Sequence, residues 1–276
     1  MRGERVQLGD LHIEGRSWAG EETWFRVRPP GLAFDVGRGA VQLAGARDLL
    51  ISHGHLDHAL GVPYVLSQRT LHRQERTRVL CPARIVRPLI ALIEAAAAME
   101  AATYDYQVVG LEPGERIEVG PRLAVEAFAV DHGVAGLGFH LLRRSRRLLP
   151  ALEGESGPDL ARRRQRGEPV EEEIEELALS YCGDTGSGVF DSEPRLFTAR
   201  VLLLECTFLA AGQEERARRF GHLHLADLEA RAQRFENEYL VLHHLSRRFR
   251  RAELEAEIAR RLPLLAGRVH LLLGPR

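Results

Sequence analysis

Four metal-ligand side chains within six residues constrain this chain more than any other stretch of it. His53-Gly54-His55-Leu56-Asp57-His58 holds three imidazoles and a carboxylate, directly after the apolar run Asp48-Leu49-Leu50-Ile51. A short apolar run of that kind reads as a buried strand, so the cluster sits where a strand ends. Imidazole together with carboxylate suits zinc, iron or manganese, whereas calcium and magnesium prefer oxygen ligands alone. In extended backbone, residues two apart point the same way, so His53 and His55 can share one ion. Asp57 and His58 run on into a helix-like turn and face elsewhere. The pattern asks for two ions side by side at the end of a buried strand.

The His-x-His-x-Asp-His run resembles the signature of the metallo-β-lactamase superfamily, and later segments resemble its ribonuclease Z branch in the same order. Val130-Asp131-His132-Gly133-Val134-Ala135-Gly136-Leu137-Gly138 is similar to that branch's His-x-Val-Pro-Ser-Leu-Gly run. Tyr181-Cys182-Gly183-Asp184-Thr185-Gly186 supplies an aspartate in a turn, and Glu205-Cys206-Thr207-Phe208 resembles Glu-Ala-Thr-Phe. Gly221-His222-Leu223-His224 stands where the branch has Gly-His-Ser-Thr, and His244-Leu245-Ser246-Arg247-Arg248-Phe249 resembles His-Phe-Ser-x-Arg-Tyr. There are departures. Leu204 replaces a histidine before the glutamate, Leu223-His224 replaces Ser-Thr, and Ala135-Gly136 replaces Pro-Ser.

The resemblance implies His53, His55 and His132 on a first divalent ion, Asp57, His58 and His244 on a second, and Asp184 bridging both. Zinc is the first choice of metal, with manganese or iron as alternatives. Asp57, Glu205 and His222 are the implied catalytic groups. His222 is the candidate general acid, oriented by Glu205, with His224 as its rival. His243 competes with His244, but register with Ser246 and Arg248 favours His244. Arg247 and Arg248 are either phosphate contacts or exposed arginines at a helix start. Asp35 reads as support for the metal loop.

The fold implied is a four-layer αββα sandwich of two mixed sheets, one domain over 1–276 with a charged insertion at about 145–176. The implied function is a dinuclear metal-dependent phosphodiesterase acting on the 3′ end of precursor transfer RNA, with a homodimer inherited from the same resemblance. The alternatives are a small-molecule hydrolase of a cyclic nucleotide, other phosphodiester or lactone, or a non-catalytic RNA- or protein-binding relative.

Composition bounds these readings. A chain of 276 residues can bury one large core or two small ones. No apolar run approaches the length of about 18 residues that would span a membrane, and the first residues lack an apolar signal core. Cys81, Cys182 and Cys206 are scattered and odd in number, as expected of reduced thiols in the cytoplasm. Net charge is −1, so the molecule as a whole does not attract RNA. Every basic side chain other than histidine is arginine. Arg143-Arg144-Ser145-Arg146-Arg147 and Arg162-Arg163-Arg164-Gln165-Arg166 concentrate that charge just before the acidic run 171–176. The two clusters read either as a phosphate-gripping flap or as a solvated insertion whose charges pair internally.

Hydrophobic patterning places strands at 6–13, 23–27, 32–36, 49–52, 79–81, 104–109, 117–119, 123–130, 137–142, 178–182, 201–205, 238–242 and 269–273. Helices are expected over 59–68, 88–102, 226–235 and 252–261. Every candidate ligand then lies just after a strand.

Overall fold

A computed structural model describes residues 3–275. Its strands fill two sheets in chain order. The first sheet comprises β1 (Glu4–Leu8), β2 (Leu11–Trp18), β3 (Glu22–Arg28), β4 (Leu32–Val36), β5 (Asp48–Leu50), β6 (Thr77–Pro82) and β7 (Tyr106–Leu111). The second comprises β8 (Arg116–Gly120), β9 (Leu123–Ala129), β10 (Leu137–Leu148), β11 (Glu171–Cys182), β12 (Val201–Glu205), β13 (Tyr239–His243) and β14 (Val269–Leu271). Both sheets repeat one pattern. Neighbours among the first four strands are antiparallel, and from the fourth onward they are parallel.

Parallel neighbours require crossovers, and the crossovers carry the helices. In the first half these are α1 (Leu56–Ala59), α2 (Val62–Leu71) and α3 (Val86–Glu100). α4 (Gly157–Gln165) interrupts the β10–β11 connection. The second half carries α5 (Val189–Ser192), α6 (Glu214–Phe220), α7 (Leu225–Glu229) and α8 (Arg251–Arg261).

The inner faces of the sheets meet in one buried cluster, where Phe25, Phe34 and Leu80 oppose Phe139, Leu179 and Tyr181. Trp24, Leu49 and Val79 on the outer face of the first sheet pack under Val65 and Leu66 of α2 and Ile93 of α3. Leu202, Leu204 and Leu242 on the outer face of the second sheet pack under Leu228 of α7 and Leu254 and Ile258 of α8. The result is the four-layer αββα sandwich implied above. β5 and β12 are buried at every residue, as parallel strands covered on both faces are.

Three segments differ from the sequence reading. Residues 6–13 form a hairpin rather than one strand, because the chain turns at Gly9, whose φ of +61° is a left-handed value that glycine adopts without a Cβ clash. Apolar alternation continues through that turn and conceals it. The charged stretch 145–176 begins and ends in strand, with α4 between. β10 and β11 pair from Arg144↔Glu175 to Leu148↔Glu171, past the last residues that their other sheet neighbours reach, and form a two-stranded ribbon connected through α4. The helix expected over 226–235 ends at Glu229, and residues 232–234 form a separate 3-10 turn.

Candidate metal centre

The site is assembled on one rim, from loops at the ends of strands. β4 leads to Asp35, β5 to the loop carrying His53 through His58, β11 to Asp184, β12 to Glu205 and β13 to His243 and His244, while His132 lies between β9 and β10. Backbone hydrogen bonds tie the sheets together at this rim. Leu137 N–H donates to the Ser52 carbonyl at 2.8 Å, and Ala19 N–H donates to the Leu245 carbonyl at 3.2 Å. Asp35 and His244 have φ of +51° and +54°, a region that is costly for residues with a side chain and is held only where surrounding bonds enforce it. His244 is held by its own N–H, which donates to Ser17 Oγ at 2.8 Å.

All seven expected ligands converge. His53, His55, His132 and Asp184 form one group of potential ligand atoms, and Asp57, His58 and His244 form a second. In the first group, His53 Nε2 lies 2.9 Å from His55 Nδ1 and 3.6 Å from Asp184 Oδ2, and His132 Nε2 lies 3.5 Å from His55 Nδ1. In the second, His58 Nε2 is 3.8 Å from Asp57 Oδ2, and His244 Nε2 is 3.5 Å from the same oxygen. Asp184 Oδ1 is 3.5 Å from His58 Nε2, so its two oxygens face different groups.

These spacings fit a metal better than they fit hydrogen bonds. Ligands about 2.0–2.1 Å from a tetrahedral ion stand about 3.3 Å apart. Most of the separations are too long for good hydrogen bonds. His58 Nε2, His244 Nε2 and Asp184 Oδ1 are also fully buried and have no hydrogen-bond partner. Three orphaned polar atoms converging in a protein interior are costly unless something else binds them, and the donor set of imidazole and carboxylate suits a divalent transition ion.

The opposite ring nitrogens are anchored, which selects the atom offered inward. Asp35, fully buried, accepts from Ser52 N–H, Ser52 Oγ–H and His58 Nδ1–H at 2.7 Å each, and from Tyr181 O–H at 2.5 Å. Since the Ser52 hydroxyl proton goes to Asp35, His53 Nδ1–H donates to Ser52 Oγ at 2.9 Å. His132 Nδ1–H donates to the Gly221 carbonyl at 2.9 Å. His244 Nδ1–H donates to Thr207 Oγ1 at 2.8 Å. Burial, and then the charge of His58, hold the His53 pKa well below the usual histidine value, and burial followed by His132 lowers that of His55. Both rings are therefore neutral and ready to ligate. His58 behaves oppositely. Burial disfavours its charge, but Asp184 and Asp35 outweigh burial and raise its pKa well above the usual value.

Glu205 forms a second hub. Its fully buried carboxylate accepts from Thr185 N–H at 3.2 Å, Leu223 N–H at 3.0 Å, Thr207 N–H at 2.8 Å and Thr207 Oγ1–H at 2.9 Å. It also accepts from His222 Nδ1–H at 2.9 Å. Burial opposes protonation of His222, but Glu205 outweighs it and raises the pKa to about 9. The His222 ring stacks 5.4 Å from that of His244 and lies 5.3 Å from that of His132. A charged imidazole thus stands beside both ligand groups.

The rival histidines are occupied elsewhere. His224 Nε2–H donates to the Ala210 carbonyl at 3.0 Å, and its Nδ1 accepts from Ala226 N–H at 3.1 Å as the N-cap of α7. His243 Nε2–H donates to the Cys182 carbonyl at 3.1 Å in the core between the sheets. Arg247 pairs with Glu21 at 2.9 Å, and Arg248 lines a cleft with Phe249, Glu253 and Glu257. The sequence reading missed Ser52, Tyr181 and Thr207, which hold the carboxylates and imidazoles in place. Their one signal is position, since Ser52 directly precedes His53, Tyr181 stands three residues before Asp184 and Thr207 two residues after Glu205.

Most of the ribbon's arginines are neutralised, Arg146 being the exception among the described residues. Arg143 pairs with Asp10 and Arg147 with Glu172, both at 2.7 Å, and Arg144 pairs with Glu118. Arg163 bonds Glu155 and Glu168 at 2.7 and 2.9 Å, Arg164 bonds Glu171 at 2.6 Å, and Arg162 pairs with Asp159.

Comparison with known proteins agrees with this geometry. A family profile described as the β-lactamase superfamily domain matches residues 33–245. The tRNase Z TRZ1 of Arabidopsis thaliana is 30% identical over 270 residues, which cover 97% of this chain and 96% of that protein. The ribonuclease Z of Kineococcus radiotolerans is 32% identical over 238 residues, covering 81% of this chain and 75% of its own. Among solved structures, the short form of human tRNase Z superposes with a TM-score of 0.60 at 17% identity, covering 86% of this chain and 93% of that one, a likeness of fold.

Proposed function

The chain belongs to the metallo-β-lactamase superfamily, in its ribonuclease Z-like branch, and from that premise we propose that it is an endoribonuclease that cuts a phosphodiester at the 3′ end of precursor transfer RNA. The observation that carries this reading is the Glu205–His222 pair, 2.9 Å apart, standing beside the convergent ligands. Hydrolysis of a phosphodiester with a poor leaving group needs a proton donor at the leaving oxygen.

In this reading, His53, His55 and His132 would hold one ion, Asp57, His58 and His244 would hold the other, and Asp184, with an oxygen toward each group, would serve both. The donor set supports zinc. Two such ions supply positive charge that lowers the pKa of water towards neutrality and draws electron density from a phosphoryl oxygen. Asp57, whose side chain is 18% exposed, would take a proton from the attacking water. His222 holds its proton because Glu205 faces it, and gives that proton to the leaving oxygen. Thr207 links Glu205 to His244, so the acid and a metal ligand are positioned by one carboxylate.

A second reading, hydrolysis of a small phosphodiester, draws support from the internally paired ribbon, which leaves few free cations there for RNA. Side-by-side turnover of a precursor transfer RNA and a chromogenic nitrophenyl phosphodiester by metal-loaded protein separates them. The RNA reading expects a single cut at the 3′ boundary with the larger kcat/KM on RNA. Turnover of the small diester alone would refute it.

A further inference from the structure

Three of the protein's exposed large apolar side chains stand within two residues of a candidate ligand or of the candidate acid. Leu56, between His55 and Asp57, is 63% exposed; Val134, two residues after His132, is 42% exposed; Phe220, two residues before His222, is 50% exposed. Isolated exposed apolar residues are ordinary. Here they border one polar cluster, and the aromatic one is flanked by cations.

Phe220 ends α6. The next residue, Gly221, has φ +66°, and its carbonyl accepts from His132 Nδ1–H at 2.9 Å, so the end of α6 is fixed against the first ligand group. The Arg216 guanidinium lies 5.8 Å from the ring centroids of both Phe208 and Phe220, and that of Arg219 lies 5.7 Å from Phe220. These are cation–π distances. Phe208 in turn lies 6.1 Å from the His222 ring. A row of planar groups therefore runs from solvent to the candidate acid.

The cations on this helix are not tied to carboxylates. Arg216, Arg218 and Arg219 are exposed, and among the described residues none forms an ion pair with a carboxylate. The contrast with the ribbon is direct, since Arg143, Arg147, Arg163 and Arg164 are all paired. Glu214, at the other end of α6, faces His224 at 3.9 Å. An arginine already bonded to a carboxylate must break that bond to hold a phosphate, and the α6 arginines need not.

We infer that α6 is a stacking platform for one unpaired nucleotide beside the scissile phosphate, with its base on Phe220 and the neighbouring phosphates on Arg216 and Arg219. This rests on the RNA reading above and names the part of the RNA that the site grips. Every base has a π face, so stacking of this kind tolerates any sequence. It demands instead that the base be free, because a duplex hides both faces. The platform thus selects a single-stranded flank, and the guanidiniums add planar contacts to phosphate.

The test crosses protein and RNA changes. Wild type, Phe220→Ala and Phe220→Trp are compared on precursor transfer RNA that is intact or carries a single abasic nucleotide at successive positions around the cut. For intact RNA, Phe220→Ala should lower kcat/KM about tenfold, mostly through KM, and Phe220→Trp should restore it, on the usual scale of base–aromatic stacking. At one abasic position, wild type should fall to the level of Phe220→Ala, and Phe220→Ala should lose nothing further. Arg216→Ala with Arg219→Ala should weaken the salt dependence of KM by about one to two counterions. Equal kcat/KM for wild type and Phe220→Ala on a cleaved RNA would overturn the platform alone, as would an equal loss on intact and abasic RNA. If wild type turns over the small diester but no RNA, the RNA reading falls and the platform falls with it.

Discussion

Asp35 is not among the ligands, yet the metal loop hangs on it, and Asp35→Asn measures how much. The carboxylate is fully buried and meets four donors, with Ser52 N–H on one oxygen and Ser52 Oγ–H, His58 Nδ1–H and Tyr181 O–H on the other. An amide has the same shape but only one acceptor. If its oxygen faces the group of three, its NH2 is forced against Ser52 N–H, 2.7 Å away in the native protein. If it turns, three donors lose their acceptor. The cheaper arrangement leaves one buried donor unpaired, about 1–3 kcal/mol, and removes the charge from the three remaining bonds, so the total is about 3–5 kcal/mol. His58 keeps only a neutral acceptor on Nδ1, which weakens the bond that fixes its tautomer and makes it a poorer ligand, so metal affinity should fall about tenfold.

Tyr181→Phe is the control. It removes one donor and leaves Asp35 with three, so it should cost about 1–2 kcal/mol and leave metal affinity within about threefold. Urea unfolding of chelator-treated protein gives the first quantity, and competition with a chromophoric chelator gives the second. Native stability together with native affinity in Asp35→Asn would refute the claim that this carboxylate organises the loop.

Three further outcomes follow from the site. His222→Ala should keep its metal but lose roughly a hundredfold or more on RNA, with a smaller loss on a nitrophenyl diester, whose leaving group needs no proton; rate ratios on the two substrates decide it. The raised pKa of His58 means that in chelator-treated protein its contribution to stability is complete below the ordinary histidine value of 6.5 and is lost as pH rises through the higher folded-state value. An ion must displace that same proton, so metal affinity should climb about tenfold per pH unit across neutrality, and pH-independent affinity measured by competition titration would contradict the His58 protonation described here. Replacing Arg162, Arg163 and Arg164 with alanine should change the salt slope of RNA cleavage by less than about one counterion, because these side chains are paired within the ribbon; a flattened slope would show that they reach RNA instead.

Much of the site could be read from the sequence because its residues are both rare and ordered. Three histidines and an aspartate within six residues at the end of an apolar strand have few structural uses, and the later motifs arrive in the order in which the second sheet is built. The groups that hold them were less visible. Ser52, Thr207 and Tyr181 are common residue types, and only the fold brings Tyr181 across 146 residues to Asp35. The choice between His222 and His224 was hidden for a similar reason. A histidine accepting from a helix N–H and one donating to a buried glutamate look alike until the start of α7 is located. In the ribbon, the signal was present but ambiguous. Arginine and glutamate runs suit a solvated flap and a phosphate grip equally, and the deciding fact is which acid each strand brings alongside, with Arg147 opposite Glu172 and Arg144 beside Glu118 of β8. The missed turn at Gly9 and the short α7 are failures of periodicity, since apolar spacing continues through both breaks.

The central claim is that two ions sit side by side in this cluster, and metal counting on folded protein tests it most directly. Protein stripped with chelator, reconstituted with zinc and freed of excess should carry about two ions per chain by elemental analysis, and an Asp184→Ala variant of native fold should carry fewer. A folded wild-type chain that retains essentially no metal after reconstitution would contradict the account.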